Sequence, residues 1–298
     1  MIGLVGVEVR RLLARRVVRV VGLLVVLGIG LGATLTFINS DAITPAREAT
    51  IERATRREVK RCVGHFPSEE DRSVAREECE RNVFVPVEDP RLFLTELKGV
   101  AIGTTVPLVI LSWLIGATAI GAEWHAGTMT TLLTWEPRRV RVLTAKLTAA
   151  ALLAFVAAVV TQLLVGGALL PSALLHGSTE GADGAWLRST AAIVARGAAM
   201  SSFATVIGFS IASVARNTAA ALGAGFVYSA VIDPLVGAFR PQWHRWLLVE
   251  NVALFITGQE LAFPMLGRDT MDASVVLLIY IAVTGGIALL LFRQRDVT

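Results

Sequence analysis

Charge is scarce in this sequence: Asp, Glu, Lys and Arg supply 17% of its 298 residues, against about a quarter in a soluble domain. Hydrophobic residues supply 54%, more apolar surface than a water-soluble core absorbs. Catalytic signatures are missing as well. No GxxxxGK[S/T] loop is present to cradle nucleotide phosphates. Neither HExxH nor a GxSxG elbow occurs, and the histidines His65, His125, His176 and His244 lack metal-ligand spacing. These absences argue against an enzyme and against a bound metal or cofactor. The two cysteines, Cys62 and Cys79, fall in one hydrophilic stretch. They fit a single disulfide if that stretch meets an oxidising compartment, and two free thiols if it does not. Basic residues flank apolar runs instead of alternating with exposed aromatics, which favours membrane phosphates over nucleic acid.

What is present is a series of apolar runs, each near the roughly 20 residues that cross a bilayer. They cover 17–37, 99–122, 147–170, 197–215, 218–239 and 274–292. The sequence therefore predicts an all-α integral membrane protein with six transmembrane helices. The first run follows an arginine-rich stretch and lacks a small-residue cleavage site, so it is expected to be retained as a helix. Arg10, Arg11, Arg15, Arg16 and Arg19 cluster at its start; Arg138, Arg139, Arg141 and Lys146 lie between the second and third runs; Arg216 follows the fourth; Arg293 and Arg295 close the chain. The positive-inside rule then puts both termini in the cytoplasm, with residues 1–16 as an amphipathic interfacial elbow. On that elbow, Leu4, Val7 and Leu12 are expected to be buried and the arginines wet.

Residues 40–98 form the expected extracytoplasmic insert, with a helical stretch from Pro45 and a helix-breaking PVEDP at Pro86–Pro90. Residues 240–273 are too polar to cross, yet carry Trp243, Trp246, Leu247, Leu248, Phe255 and Ile256. That composition predicts short outer interfacial helices broken near Gly258, with Glu250, Glu260, Asp269 and Asp272 wet. Two ionisable residues fall at membrane depth, where a central charge costs about 2.5–3.5 kcal/mol on insertion scales. Arg196 sits at the start of the fourth run and is expected to snorkel to the headgroups. Asp233, before Pro234, is a candidate to cap a broken helix, gate, or contact substrate. Gly28 with Gly32, Gly99 with Gly103, and Gly223 with Gly225 are candidate close helix contacts.

The most informative segment is 123–146, within GAEWHAGTMTTLLTWEPRRVRVLTAK. Gly127 breaks a helix, Thr128–Trp135 suffices for two turns, and Pro137 disfavours helix at Glu136. With Glu123, Gly127, Thr128, Leu132, Leu133, Pro137, Arg139 and Lys146, this resembles the permease subunits of bacterial type-2 ABC exporters. The resemblance extends to the basic N-terminus, the six runs and the ending LFRQRD. It implies one transmembrane domain over 1–298, paired with a second identical or different permease chain. It also implies a separate ATPase subunit that holds ATP and Mg, with this chain in the bacterial cytoplasmic membrane. Thr128–Trp135 would then be the coupling helix and Glu123 its hinge. Thr104, Thr105, Ser112, Trp113, Phe226, Tyr228 and Asp233 would line a pathway for an amphiphile such as a drug, antibiotic or lipid. Two other classes stay open: an anchor or signalling protein with a binding insert, and an ion-coupled secondary transporter. A pure anchor has no need of the glycine break, short helix and proline stop together. A secondary transporter calls for more buried carboxylates or inverted repeats.

Overall fold

The computed structural model describes residues 2–40, 44–65, 76, 79–80, 91–135, 138–259 and 267–294. Within them the fold is helical, with one isolated bridge, between Phe93 and Ser178. Among the described residues, six helices are long and apolar enough to cross a membrane. The protein is an all-α, multi-pass integral membrane protein. Its chain divides into two compact units, 1–29 with 97–166 and 183–298, and 30–96 with 167–182.

The larger unit begins with α1 (Ile2–Ala14), which breaks at Arg15 and passes into α2 (Arg16–Asn39). No residue of α2 is buried. Its only half-covered stripe in this unit, Val18, Val21, Val25 and Ile29, has helical spacing, so the remaining apolar circumference faces outward as on a lipid-facing helix. Next comes α4 (Leu97–His125), which ends where Gly127 takes a left-handed conformation (φ 66°) and α5 (Thr128–Trp135) starts. The Gly127 N–H donates to Trp124 O at 3.2 Å, closing the helix end as a glycine just past the C-cap does. α6 (Arg139–Leu175) is 37 residues long, about 55 Å, and so outruns a bilayer core of about 30 Å.

α7 (Gly184–Ala215) starts well before the apolar run that announced it. Asp183 caps it, accepting from Trp186 N at 2.7 Å. Arg196 consequently lies inside a helix instead of at its mouth. Arg216 (φ 53°) ends α7, and Asn217 caps α8 (Thr218–Val227) by accepting from Ala219 N at 2.8 Å. The fifth span continues through a π turn, Tyr228–Ile232, into α9 (Asp233–Phe239). Pro234 cannot donate, and the preceding Asp233 N–H reaches Tyr228 O, the wider i−5 ring. A 3-10 turn (Pro241–Trp246) leads to α10 (Leu248–Thr257), and α11 (Thr270–Gln294) is the last span.

The two central helices are α4 and α7, which run parallel with backbones almost touching. A Cβ on Gly116 would stand 2.2 Å from Thr205 O, and one on Gly208 would stand 2.6 Å from Trp113 O. Thr105 fills the space over Gly197. These glycines are not the pairs expected from the sequence. Gly28, Gly32, Gly99, Gly103 and Gly223 have nothing within 4 Å of an added Cβ, and only Gly225, under the Trp113 ring, makes a close approach. Spacing alone cannot tell a contact face from an open one.

In the smaller unit, α3 (Pro45–Gly64) carries Cys62, which is bonded to Cys79. Leu94 N donates to Ser178 O (2.8 Å) and Ser178 N to Leu92 O (3.2 Å), tying 91–96 to the turn after α6. Gly177 permits this, since a Cβ there would be 2.0 Å from Leu92 O. The predicted break at Pro86–Pro90 lies outside the described residues.

Gly116→Val is expected to lower the melting temperature of the purified protein, because overpacking of this kind costs about 1–3 kcal/mol. Gly103→Ala, with open space around it, is expected to leave the melting curve in place.

Candidate functional site

At one end of the larger unit three helix ends converge on buried charge. Lys146, in the second turn of α6, is 3% exposed; Glu8 on α1 and Glu123 in the last turn of α4 are 7% and 5% exposed. The Lys146 ammonium donates to Glu8 Oε2 at 3.0 Å and to Glu123 Oε1 at 3.0 Å. Arg15, at the α1–α2 break, donates to Glu123 Oε1 (3.0 Å) and to the carbonyls of Thr118 (2.8 Å) and Ala119 (3.2 Å). Arg11 reaches Glu8 at 3.2 Å from a more exposed position. Two carboxylates thus meet an ammonium and two guanidiniums, and burial is tolerable because each acid has charged donors.

Apolar packing surrounds the cluster. Leu12 of α1, Ile120 of α4, Met129 of α5, Leu143 of α6 and Phe292 of α11 form one core. Trp124 sits edge-on to Phe292 (6.2 Å between centroids), with the Arg216 guanidinium 4.5 Å from its ring centre. On the elbow Leu12 is buried in the bundle together with Glu8, beside Val5 and Val9, Leu4 is half-buried, and Val7 is 57% exposed on the protein's own surface. Arg15 is committed to Glu123 instead of to water.

The short helix α5 is held against this core by Met129, fully buried, and by Leu132, which packs against the same cluster. Among its described side chains, Thr128, Thr131 and Thr134 are exposed. The Thr128 hydroxyl points back to Glu123 O at 3.4 Å, linking the start of α5 to the last turn of α4. The described outward residues of α5 are therefore threonines, and Leu132 packs inward on its own chain. Leu133 lies in α5, and Arg139 opens α6. Glu136 and Pro137 lie outside the described residues, so the expected proline stop does too.

The remaining candidates separate into three groups. Thr104 and Thr105 belong to a network with Gln162 of α6: Thr104 donates to Gln162 Oε1 (3.0 Å), and Gln162 Nε2 donates to Thr105 Oγ1 (3.0 Å) and Ala101 O (3.0 Å). Ser112 is buried between α4 and α7, where its carbonyl accepts from the Thr205 hydroxyl (3.0 Å). Trp113 covers Gly225 and donates to Ala221 O at 3.3 Å. These four hold helices together. Phe226, by contrast, is 69% exposed. Tyr228, in the π turn, meets the Tyr280 hydroxyl at 2.8 Å. Asp233 accepts from Val249 N at 3.0 Å, capping α10.

Sequence reasoning missed Glu8 and Gln162. Glu8 is the only acidic residue before Asp41, amid arginines, and Gln162 is the only side-chain amide in the third apolar run. Both isolations were visible signals. No group of three or more metal-capable side chains occurs among the described residues.

Comparison with protein families places residues 3–297 in the family described as ABC-2 family transporter protein, and the chain belongs to it. It is an ABC-type permease, a membrane subunit of a transporter. Membership implies a partner ATPase subunit and, usually, a paired permease. The comparison with curated proteins found no match.

Lys146→Met leaves two buried carboxylates short of a cation and is expected to cost about 3–5 kcal/mol, seen as a lowered melting temperature. Adding Glu8→Gln to Lys146→Met should recover part of that loss. Additive losses would mean that the two residues do not share one charge network.

Proposed function

We propose that this chain is the membrane-spanning half of an ABC exporter that converts ATP hydrolysis by a separate subunit into outward movement of an amphiphile. The observation that carries the reading is α5: two helical turns displaced from α4 by a left-handed glycine, their inner face fixed to the core and their threonine face open. Beside it, Glu123 and Lys146 join the helix that enters this segment to the helix that leaves it. A push on α5 therefore reaches α4, α6 and α1 through packed side chains and buried charge. Glu123, Gly127 and Thr128 are the coupling residues; Met129 and Leu132 transmit the load inward. Arg139, with Leu133 and Pro137, completes the segment that the family resemblance marks.

The ATPase holds ATP and Mg, and a second permease chain completes the pathway. Phe226 and Tyr228 are its best-placed lining residues. The mostly apolar spans suit a drug, antibiotic or lipid. The site in the cell is the bacterial inner membrane, with both termini cytoplasmic. That orientation is supported by the arginines on α1 and by the Cys62–Cys79 disulfide, whose half of the chain would then meet an oxidising compartment.

Affinity purification from native membranes in mild detergent should recover an ATP-hydrolysing subunit in near-equal amount. Thr131→Arg, on the open face of α5, should weaken that association about tenfold or more while leaving insertion and melting temperature unchanged. Unaltered copurification would remove the docking role from α5. Orientation has its own check: a membrane-impermeant maleimide should label Cys62 and Cys79 on intact cells only after reduction. Labelling restricted to permeabilised cells would invert the topology.

A further inference from the structure

Both ionisable residues singled out inside the spans, Arg196 and Asp233, end at the same short helix. α10 is too short to cross a bilayer, and it packs against two of the spans. Ile256 packs with Met200 of α7 and Leu277 of α11, and Leu254 is fully buried. Glu250, expected to be wet, is 8% exposed, and Asn251 is completely covered. A helix leaves N–H groups at its start and carbonyls at its end without intrahelical partners, and at membrane depth the protein itself has to supply them. Its own N-cap residue, Leu247, has no side-chain acceptor. Asp233, from the fifth span, supplies one, 3.0 Å from Val249 N. At the opposite end the Arg196 guanidinium donates to Phe255 O at 3.3 Å. Gly258 (φ 76°) makes room for it: the chain turns left-handed there, and a Cβ would stand 3.3 Å from Arg196 Nη1.

The signs are matched. The carboxylate stands at the positive end of the helix dipole and the guanidinium at the negative end. The two charges come from different spans, so α10 bridges α7 and α9 by its two ends. The chain before it is tethered as well, since Tyr280 of α11 donates to Trp246 O at 3.0 Å and Asn251 Nδ2 to Arg245 O at 3.0 Å. Asp233 accepts from the first N–H groups of α10, those of Val249 and Leu248, and Arg196 gives one hydrogen bond to Phe255 O, so each end is held from a neighbouring span. Relative movement of α7 and the fifth span must stretch one of these contacts.

We propose that Asp233 and Arg196 are positioning residues, a latch of opposite charges that seats α10 against α7 and α11 and gives way at one end during each transport cycle. The seating half stands on the geometry above, and the release half rests on the exporter reading.

The test uses Leu254→Cys in the full chain, purified and placed in lipid nanodiscs, with a water-soluble maleimide. Cys62 and Cys79, being disulfide-bonded, stay silent without reductant. With the latch intact, labelling should be slow. Arg196→Ala should raise the rate about tenfold, the effect of losing one charged hydrogen bond, and Asp233→Ala by about tenfold or more. Arg196→Lys should restore slow labelling, and Asp233→Asn, which keeps an acceptor oxygen without the charge, should fall between. If the alanine variants do not insert, Asp233→Asn alone decides. Rates equal to the parent in inserted protein would overturn the latch and leave α10 held by apolar packing. These arms need no ATPase, so they stand or fall apart from the exporter reading. With the copurified ATPase present, ATP should speed labelling of the parent. An unchanged rate there, beside latch-sensitive variants, would overturn the release step and leave a static anchor.

Discussion

One ammonium between two carboxylates governs the end of the molecule where the N-terminal helix meets the spans. Lys146 is nearly sealed from solvent, and so are Glu8 and Glu123. Charges removed from water are costly, and their mutual attraction offsets that cost only when the geometry is good and the other lone pairs are used. Here they are used, by Arg15 and Arg11. The consequence is specificity of arrangement: α1 cannot slide along the bundle, nor α4 and α6 splay, without leaving a buried charge unpaired. Leu12, Met129 and Phe292 then pack around a fixed frame. An apolar contact alone would tolerate a shift of register, whereas a two-acid, one-lysine contact does not.

Much of the fold was legible because the bilayer makes it so. A run of about 20 apolar residues leaves few structures that satisfy its backbone, so the six spans and the break at Gly127 could be read directly. Helix lengths were less legible. α7 begins 13 residues before the apolar run at Gly197, since Asp183 caps a stretch of good helix formers that hydropathy passes over. This changes the meaning of Arg196, from a residue at a mouth to one inside a helix. The close helix contacts were illegible for another reason: a glycine allows approach, but only the partner's position decides whether approach occurs. Gly116 and Gly208 meet a backbone, and Gly99 and Gly103 do not.

The candidate site was legible in part. Glu123, Gly127 and Thr128 stand out in sequence because a break and a helix start leave local marks. Glu8 pairs with Lys146 across 138 residues, and no local pattern encodes such a distance. Leu132 shows the converse limit. The Leu132–Leu133 pair on a short helix suggests a docking surface, but the core takes Met129 and, one helical turn on, Leu132, while Thr128, Thr131 and Thr134 face out.

The two ends of the larger unit are joined by its most closely packed helix pair. α4 and α7 touch backbone to backbone at Gly116 and Gly208, so neither can move along the other without collision, and close-packed interiors pass displacement on instead of absorbing it. α4 carries Glu123 at one end, and α7 carries Arg196 toward the other. On the proposed reading, a load entering at α5 travels as a rigid displacement of the α4–α7 pair and arrives at α10 as strain on the Arg196 cap. The fifth span is built differently. Its π turn at Tyr228–Ile232 replaces regular α hydrogen bonding immediately before Asp233, so it is the more deformable of the two anchors. A latch with one rigid and one compliant anchor yields at a defined place. Displacement delivered through α7 is taken up at the Asp233 side only as far as the π turn can follow, and beyond that the cap at Phe255 is the bond that has to break.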